Sequence, residues 1–268
     1  MPQTTRPNLY PAADHNSQWF ADNFGQWSPM ALSAPVLVLH TTEGFSWPGY
    51  NGNGNIAPTA TIWHGHGVRQ HFNISQPARA LVNLPGGSDT DSQGDIQFEL
   101  VGTCDPSKKN SGMLYWPEAT DEDMTELVDF VVWLHNEWGL KLQSTVTWVA
   151  YPGSYGDTMG QRLSTAEWIA YEGILGHEHV PENLHGDPGL FPIQRLFDLC
   201  NAKLGKVATV PAQQPQNTNP NVGYDTVLVD DGKGGQIEWS VNSVIKNVRD
   251  THASMEAKLD RIIAKLGA

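Results

Sequence analysis

The sequence predicts an α/β protein: a mixed central β-sheet flanked by helices, with a C-terminal heptad helix beyond it. Residues 35–40 are a proline, a continuous run of valine and leucine, and a histidine, which is typical of a strand buried on both faces. Residues 120–138 carry apolar side chains at helical spacing, which predicts an amphipathic helix. Strand and helix patterns alternate along the chain, and such alternation favours helices packed on a sheet.

The segments around the first strand predict an arm and a pair of strands. Residues 1–34 contain proline, asparagine and scattered aromatic residues, and we expect an irregular arm laid over the domain. Residues 60–64 and 68–72 predict two strands joined by a turn through Gly65 and Gly67.

The strand predicted at residues 96–101 has two different faces. Ile96, Phe98 and Leu100 share one face, so Glu99 points to the opposite one. An acidic residue opposite an apolar stripe is usually solvated. Glu99 becomes a candidate general base only if its face lines a crevice at the end of the first strand.

The helix predicted at residues 120–138 has a recognisable start and end. Thr120 and Asp123 occupy capping-box positions, and Gly139 is placed to end the helix. Its apolar stripe, which would pack on the sheet, consists of Met124, Leu127, Val128, Val131 and Leu134.

Three further elements are predicted after this helix. The β-branched and aromatic residues at 145–151 predict another strand. Ser164 and Glu167 cap a short helix that runs to about Gly173. A helix follows at residues 192–204, starting at a proline and stopped by a glycine.

Composition divides the chain into a main domain, a linker and a tail. Residues 1–206 form the main domain, with its core at 35–205, and the proline, glutamine and asparagine content of residues 207–222 predicts a linker. Residues 223–268 predict a C-terminal coiled-coil-like helix. Self-association through residues 241–266 and docking onto the main domain both stay open, because a lone helix of this length needs a partner. The heptad seam consists of Val241, Ile245, Val248, His252, Met255, Leu259, Ile262 and Leu266.

Charge and composition exclude several classes of protein. The formal net charge of −13 argues against binding to nucleic-acid phosphates. No apolar run reaches membrane-spanning length, and residues 1–7 lack the apolar core of a secretory signal. Cys104 and Cys200 are the only cysteines, so we expect two buried free thiols instead of a disulfide framework.

One loop concentrates the residues that carry chemistry. Residues 176–189 contain His177, His179, His185 and Asp187, and their prolines and glycines exclude a helix. Imidazole nitrogen and carboxylate oxygen suit a tetrahedral Zn²⁺ ion, and a catalytic zinc site needs three such ligands. A histidine-rich loop alone is more often a surface turn, so a metal site requires a ligand from elsewhere in the chain.

His40 is the candidate for that distant ligand. It ends the first predicted strand, and open α/β sheets keep their sites in a crevice at the carboxyl ends of strands. Taken in isolation, a histidine at this position is more often a core residue whose ring atoms are satisfied by hydrogen bonds. His64 and His66 lie on the predicted turn, where exposure or substrate contact is favoured over metal binding.

Three stretches together resemble the zinc-dependent N-acetylmuramoyl-L-alanine amidases of the amidase-2 type, which share their fold with peptidoglycan recognition proteins. The sequence looks most like endolysins of phages that infect actinobacteria. The likeness covers roughly residues 35–205. The residues that carry it are the segments 38–42 (VLHTT) and 98–105 (FELVGTCD) and the loop 176–189.

The resemblance implies roles for five residues. His40, His177 and Asp187 would be zinc ligands, and Glu99 would be the catalytic glutamate. His185 stands where many members of the family carry a lysine, and it would stabilise the oxyanion. The implied reaction cleaves the amide between N-acetylmuramic acid and L-alanine of peptidoglycan.

The implied biological setting is lysis of a bacterial cell wall by a phage enzyme, an antimicrobial activity. The protein would be made in the host cytoplasm without a signal peptide and would act on the wall after release. The tail helix would serve oligomerisation or wall targeting. A peptidoglycan-binding module without catalysis and a structural virion component are the alternatives.

Overall fold

The computed structural model describes residues 6–25, 30 and 35–206, together with the backbone of residues 226–230 and 236–240. The chain divides into two compact units, Met1–Ala208 and Thr209–Ala268. The predicted linker at 207–222 and the heptad seam at 241–266 lie outside the described residues.

The described part of the first unit contains a six-stranded mixed sheet. Its order is β1-β4-β3-β5-β2-β6, in which only β3 and β4 pair antiparallel. The strands are β1 (Ala13–Asp14), β2 (Val36–Thr41), β3 (Ala60–Trp63), β4 (Gly67–Gln70), β5 (Asp95–Leu100) and β6 (Gly173–Gly176). The predicted α/β class with a mixed sheet is confirmed, as are the strands expected at 35–40, 60–64, 68–72 and 96–101.

Helices cover both faces of the sheet. They are α1 (Thr125–Trp138), α2 (Thr165–Ala170) and α3 (Ile193–Lys203), of which α1 and α3 contact one another. Leu39 and Phe98 point into the larger core, where they pack with Phe130 of α1. On the opposite face, Val38 packs with Trp168 of α2. None of the helices in the described ranges is long and apolar enough to cross a membrane.

The N-terminal arm lies over the domain and the two cysteines are buried, as the sequence predicts. The described part of the arm runs over the domain, where Tyr10 stacks on Phe130 with ring centroids 4.2 Å apart. Its backbone adds β1 to the edge of the sheet, beside β4. Cys104 and Cys200 are both buried free thiols.

The helix predicted from residue 120 begins later, at Thr125. The expected capping contacts do form: Asp123 Oδ2 accepts from the Thr120 backbone N–H at 2.7 Å, and Thr120 Oγ1 accepts from the Asp123 N–H at 3.3 Å. These contacts close a turn over residues 121–124 that precedes the helix. Gly139 ends α1 in the left-handed conformation, as predicted.

The strand predicted at 145–151 is absent from the described structure, and β6, which was not predicted, takes the edge position beside β2. The Thr145 N–H donates to the Tyr171 hydroxyl at 3.3 Å and the Val149 N–H donates to Glu178 Oε2 at 3.0 Å. These two donors bond side chains instead of a neighbouring strand. The short helix α2 also ends earlier than expected, at Ala170, which leaves room for β6.

Two described segments of the second unit are strands, although they fall within the helix predicted for residues 223–268. Its described backbone forms β7 (Thr226–Asp230) and β8 (Gln236–Ser240), which pair antiparallel with Val227 opposite Trp239. The placement of residues 226–230 and 236–240 in a tail helix is therefore wrong. The physical reason is that β-branched residues on both sides of a glycine-rich segment favour a hairpin over a helix.

Candidate metal centre

The parallel pairing of β2 with β5 and with β6 brings the candidate residues to the carboxyl ends of these strands. His40 is the fifth residue of β2 and lies opposite Glu99 of β5. Leu39 lies opposite Gly176, the last residue of β6, so His177 follows at the level of His40. Since the carboxyl ends of parallel strands share one edge, residues remote in the chain become neighbours there.

His40, His177 and Asp187 present three ligand atoms that converge at this edge. The two Nδ1 atoms are 3.0 Å apart, Asp187 Oδ1 lies 3.3 Å from His177 Nδ1, and Asp187 Oδ2 lies 3.7 Å from His40 Nδ1. All three side chains are buried. They are the one group of three or more histidine, cysteine or acidic residues within the described chain whose atoms lie close enough to hold a metal ion.

These distances fit a tetrahedral divalent cation. Ligands about 2.0–2.1 Å from a tetrahedral zinc lie about 3.3 Å from one another. The two Nδ1 atoms are 3.0 Å apart, and each lies 3.3 or 3.7 Å from one of the two carboxylate oxygens of Asp187, which is close to that value. The donor set of two imidazoles and one carboxylate also suits such an ion. His40, His177 and Asp187 can therefore form a metal site.

The charge states of the group favour metal binding. Burial, followed by the neighbouring His177, lowers the pKa of His40 to about 3, so its imidazole is neutral near pH 7. Burial by itself would raise the pKa of Asp187. The adjacent His177 and His40 and the Thr41 N–H, which donates to Oδ2 at 3.0 Å, hold that pKa well below its usual range.

The backbone of the histidine-rich loop is fixed by one arginine that the sequence did not single out. The Arg162 guanidinium donates to the carbonyl oxygens of His177 at 3.1 Å, Val180 at 3.1 Å and His185 at 2.7 Å. These contacts span the loop, so a single side chain holds both of its ends. Position 186 requires glycine because the backbone of Tyr155 approaches it closely: a Cβ there would lie 2.4 Å from the Tyr155 backbone nitrogen.

Glu99 stands beside the metal ligands with an unused oxygen. Its side chain lines the same cavity as His40 and Asp187, and Oε2 is buried with no hydrogen-bond partner among the described residues. Burial raises the pKa of Glu99 well above its usual value, and the charges of Asp187 and Glu43 raise it further. A cation bound at the three ligands would oppose this effect, because a nearby positive charge favours the carboxylate.

His185 and Tyr155 lie on the open side of the centre. The His185 side chain is 69% exposed, and its ring stacks on His177 with centroids 5.1 Å apart. Its Nδ1 lies 3.7 Å from Asp187 Oδ1. Tyr155 also lines the cavity, and burial together with Asp187 raises its pKa, so its hydroxyl stays protonated. Nothing in the local sequence around Tyr155 indicated this position.

The remaining histidines of the sequence prediction do not join the centre. His179 is fully buried: its Nδ1 accepts from the Gly176 N–H at 2.9 Å and its Nε2 lies 3.0 Å from the Thr147 carbonyl oxygen. His64 lies 3.4 Å from Glu126 Oε2, and His66 stacks on Trp63. His179 therefore has a structural role, and the turn histidines lie apart from the metal ligands.

The centre opens into a cavity of about 680 Å³. One wall comes from Ala80 and Val82, and another comes from Pro48, Tyr50 and Ile56, so the metal ligands lie at the bottom of a mainly apolar cleft. Such a volume accommodates a ligand of several hundred daltons.

A buried hydrogen-bond chain supports one wall of this cavity. The Tyr50 hydroxyl lies 2.5 Å from Thr61 Oγ1, which lies 2.8 Å from His71 Nε2. His71 Nδ1 lies 2.9 Å from the Gln18 carbonyl oxygen. A carbonyl can only accept, so His71 Nδ1 carries the proton and Nε2 accepts from Thr61.

This chain predicts a specific loss of stability in acid. Burial lowers the pKa of His71 to about 4, so the unfolded chain takes up a proton first as the pH falls below the ordinary value of 6.5. The stabilisation is complete above pH 6.5 and is lost as the pH falls towards 4. We expect the difference in unfolding free energy between the wild type and His71→Gln to shrink by roughly 2 kcal/mol between pH 7.5 and 4.5 in urea titrations. A constant difference would contradict this assignment.

Comparisons with known proteins add no relatives. No protein-family model matches the chain, and no curated protein or solved structure is found to be similar to it. The metal centre is therefore supported by the geometry of this chain alone.

Proposed function

We propose that this protein is a zinc-dependent N-acetylmuramoyl-L-alanine amidase that hydrolyses peptidoglycan, as phage endolysins do. One observation carries the proposal: His40, His177 and Asp187, remote in the chain, converge within ligand distance beside Glu99. This combination matches the roles that the resemblance of the sequence implies. A buried acid with a free oxygen beside a cation site is also what metal-assisted hydrolysis requires.

Zinc is the metal we propose for the site. Two imidazoles and one carboxylate are a common ligand set of catalytic zinc, which leaves a fourth position open. When bound, Zn²⁺ would lower the pKa of water and polarise the scissile carbonyl.

Glu99 would move the proton in this reaction. Its buried carboxylate would accept a proton from the attacking water and deliver it to the nitrogen of the leaving L-alanine. The orphaned Oε2 faces no competing hydrogen-bond donor among the described residues, which keeps it available for this transfer.

His185 and Tyr155 would supply hydrogen-bond donors to the oxyanion. His185 is exposed towards the cavity and stacked on His177, so its ring nitrogen can reach a substrate bound above the metal ligands. The Tyr155 hydroxyl is kept protonated by its buried, acidic surroundings and is the second donor in the cleft.

The two alternative functions have less support. A binding module without catalysis needs no competent acid at position 99, yet this chain has one beside a complete set of ligands. A structural virion component is supported only by the heptad seam at 241–266, which lies outside the described residues. The amidase therefore remains the function proposed, with action on the host wall after release from the cytoplasm.

Digestion of purified actinobacterial peptidoglycan tests the proposal. We expect mass spectrometry to find glycan strands with free lactyl carboxyl groups and stem peptides with a free L-alanine amino terminus. New reducing sugar ends or cuts inside the stem peptide would contradict the proposed bond. Protein treated with a chelator is the control and should release no peptides until zinc is restored.

A further inference from the structure

We propose that Asn183 is a positioning residue that fixes the tautomer of His177 and thereby aims its Nδ1 lone pair at the metal. The inference rests on the metal centre of the proposed function. Asn183 lies in the loop between His177 and Asp187 and is only 1% exposed. Its Oδ1 lies 3.0 Å from His177 Nε2, on the side of the ring away from the other ligands.

Backbone contacts fix which way the Asn183 amide points. Its Oδ1 accepts from the Val82 N–H at 2.9 Å, and its Nδ2 donates to the carbonyl oxygens of Pro181 at 2.9 Å and Val82 at 3.3 Å. A flipped amide would place its NH₂ group against the Val82 N–H and its oxygen against two carbonyl oxygens. The observed orientation is therefore the one that satisfies all three backbone groups.

This orientation determines where the proton of His177 resides. Because the atom facing Nε2 is the carbonyl oxygen of Asn183, Nε2 must donate and carry the proton. A neutral imidazole has one ring proton, so Nδ1 of His177 is left with its lone pair. That atom points at His40 Nδ1, 3.0 Å away, and at Asp187 Oδ1, 3.3 Å away.

The same amide joins the metal centre to the wall of the cleft. Val82, which bonds both amide atoms of Asn183, lines the cavity and is 48% exposed. His40, in contrast, has no such partner, because its Nε2 is buried without a hydrogen bond in the described chain. His177 is thus the imidazole ligand that is oriented before the metal arrives, as histidine ligands are when their second ring nitrogen is held by an acceptor.

The tautomer can be measured in the metal-free full-length protein. Long-range ¹H–¹⁵N spectra at pH 8 distinguish Nδ1–H from Nε2–H imidazoles. We expect His177, assigned by its loss in His177→Gln, to be in the Nε2–H form. An Nδ1–H form, or an imidazolium protonated at both nitrogens, would overturn the inference. This measurement needs no metal and no substrate, so it is independent of the proposed activity.

A metal-binding comparison tests the consequence. Asn183→Leu should weaken Zn²⁺ binding by about 10- to 100-fold in competition with a chromophoric chelator, the range found for partners of metal ligands. The matched control is Glu182→Ala, because Glu182 Oε2 anchors the same loop by accepting from the Ser88 N–H at 2.9 Å. Unchanged Zn²⁺ affinity in Asn183→Leu would overturn the proposal. An equal loss in Glu182→Ala would reduce Asn183 to a loop anchor and also overturn it.

The readouts separate this inference from the proposed function. Zn²⁺ binding that depends on Asn183, without amidase activity, would support the positioning role and reject the amidase. Amidase activity in a protein whose His177 is in the Nδ1–H form would reject the positioning role and support the amidase. If Asn183→Leu does not fold, the tautomer of the wild type alone decides.

Discussion

Replacing Glu99 with glutamine is expected to lower kcat by about 10²- to 10⁴-fold, which is the usual contribution of a positioned general acid–base. Glutamine has nearly the same shape but cannot take up the proton of the attacking water. The three ligand side chains are untouched, so the zinc content should stay at the wild-type level. Single-turnover hydrolysis of a muramoyl-peptide, together with metal analysis of the same sample, measures both quantities.

Glu43→Gln is the matched control for this substitution. Glu43 lines the same cavity, but both its oxygens are engaged: Oε1 accepts from Thr41 Oγ1 at 2.8 Å, and Oε2 accepts from Thr103 Oγ1 at 2.5 Å. We expect a far smaller loss of kcat there. A Glu99→Gln enzyme with wild-type turnover would show that the proton is taken by another group.

Removing any one metal ligand is expected to abolish both zinc binding and hydrolysis. Alanine at His40, His177 or Asp187 leaves only two ligands, which are too few for a catalytic zinc site. It also leaves the remaining buried side chains without one of their polar partners. Since the metal contributes several kcal/mol to catalysis, and about 1.4 kcal/mol corresponds to tenfold in rate, we expect a loss of at least about 10³-fold. Mass-spectrometric zinc analysis after gel filtration and the hydrolysis rate check the two effects.

His66→Ala serves as the control for the ligand variants. His66 is an exposed histidine that stacks on Trp63, apart from the metal ligands. It should keep its zinc and its rate. A ligand variant that is folded by circular dichroism and retains full zinc and full activity would reject the assignment of that residue.

Strands β2 and β5, which carry His40 and Glu99, could be predicted because their sequence patterns are unambiguous. Residues 36–39 are apolar on both faces, which is typical of a strand buried on both sides, and the parallel pairing then puts His40 at the carboxyl edge. The alternation at 96–101 correctly turned Glu99 away from the larger core. It did not reveal that the opposite face is also covered, and this burial is what raises the pKa of Glu99.

Other features depend on contacts between distant residues, and local patterns could not reveal them. Gly173–Gly176 is a short strand with two glycines, so its propensity is weak, and pairing with β2 makes it a strand. Residues 145–151 have the stronger strand pattern but no ladder partner. Arg162 and Asn183 look like ordinary loop residues until the fold brings them to the backbone and the ring of His177.

X-ray absorption at the zinc edge of the purified full-length protein tests the central claim most directly. The geometry of His40, His177 and Asp187 predicts one equivalent of zinc with two imidazole nitrogens and a carboxylate oxygen among its ligands, and no sulfur. Protein that binds no zinc when the metal is supplied, or that binds it through Cys104 or Cys200, would contradict the claim.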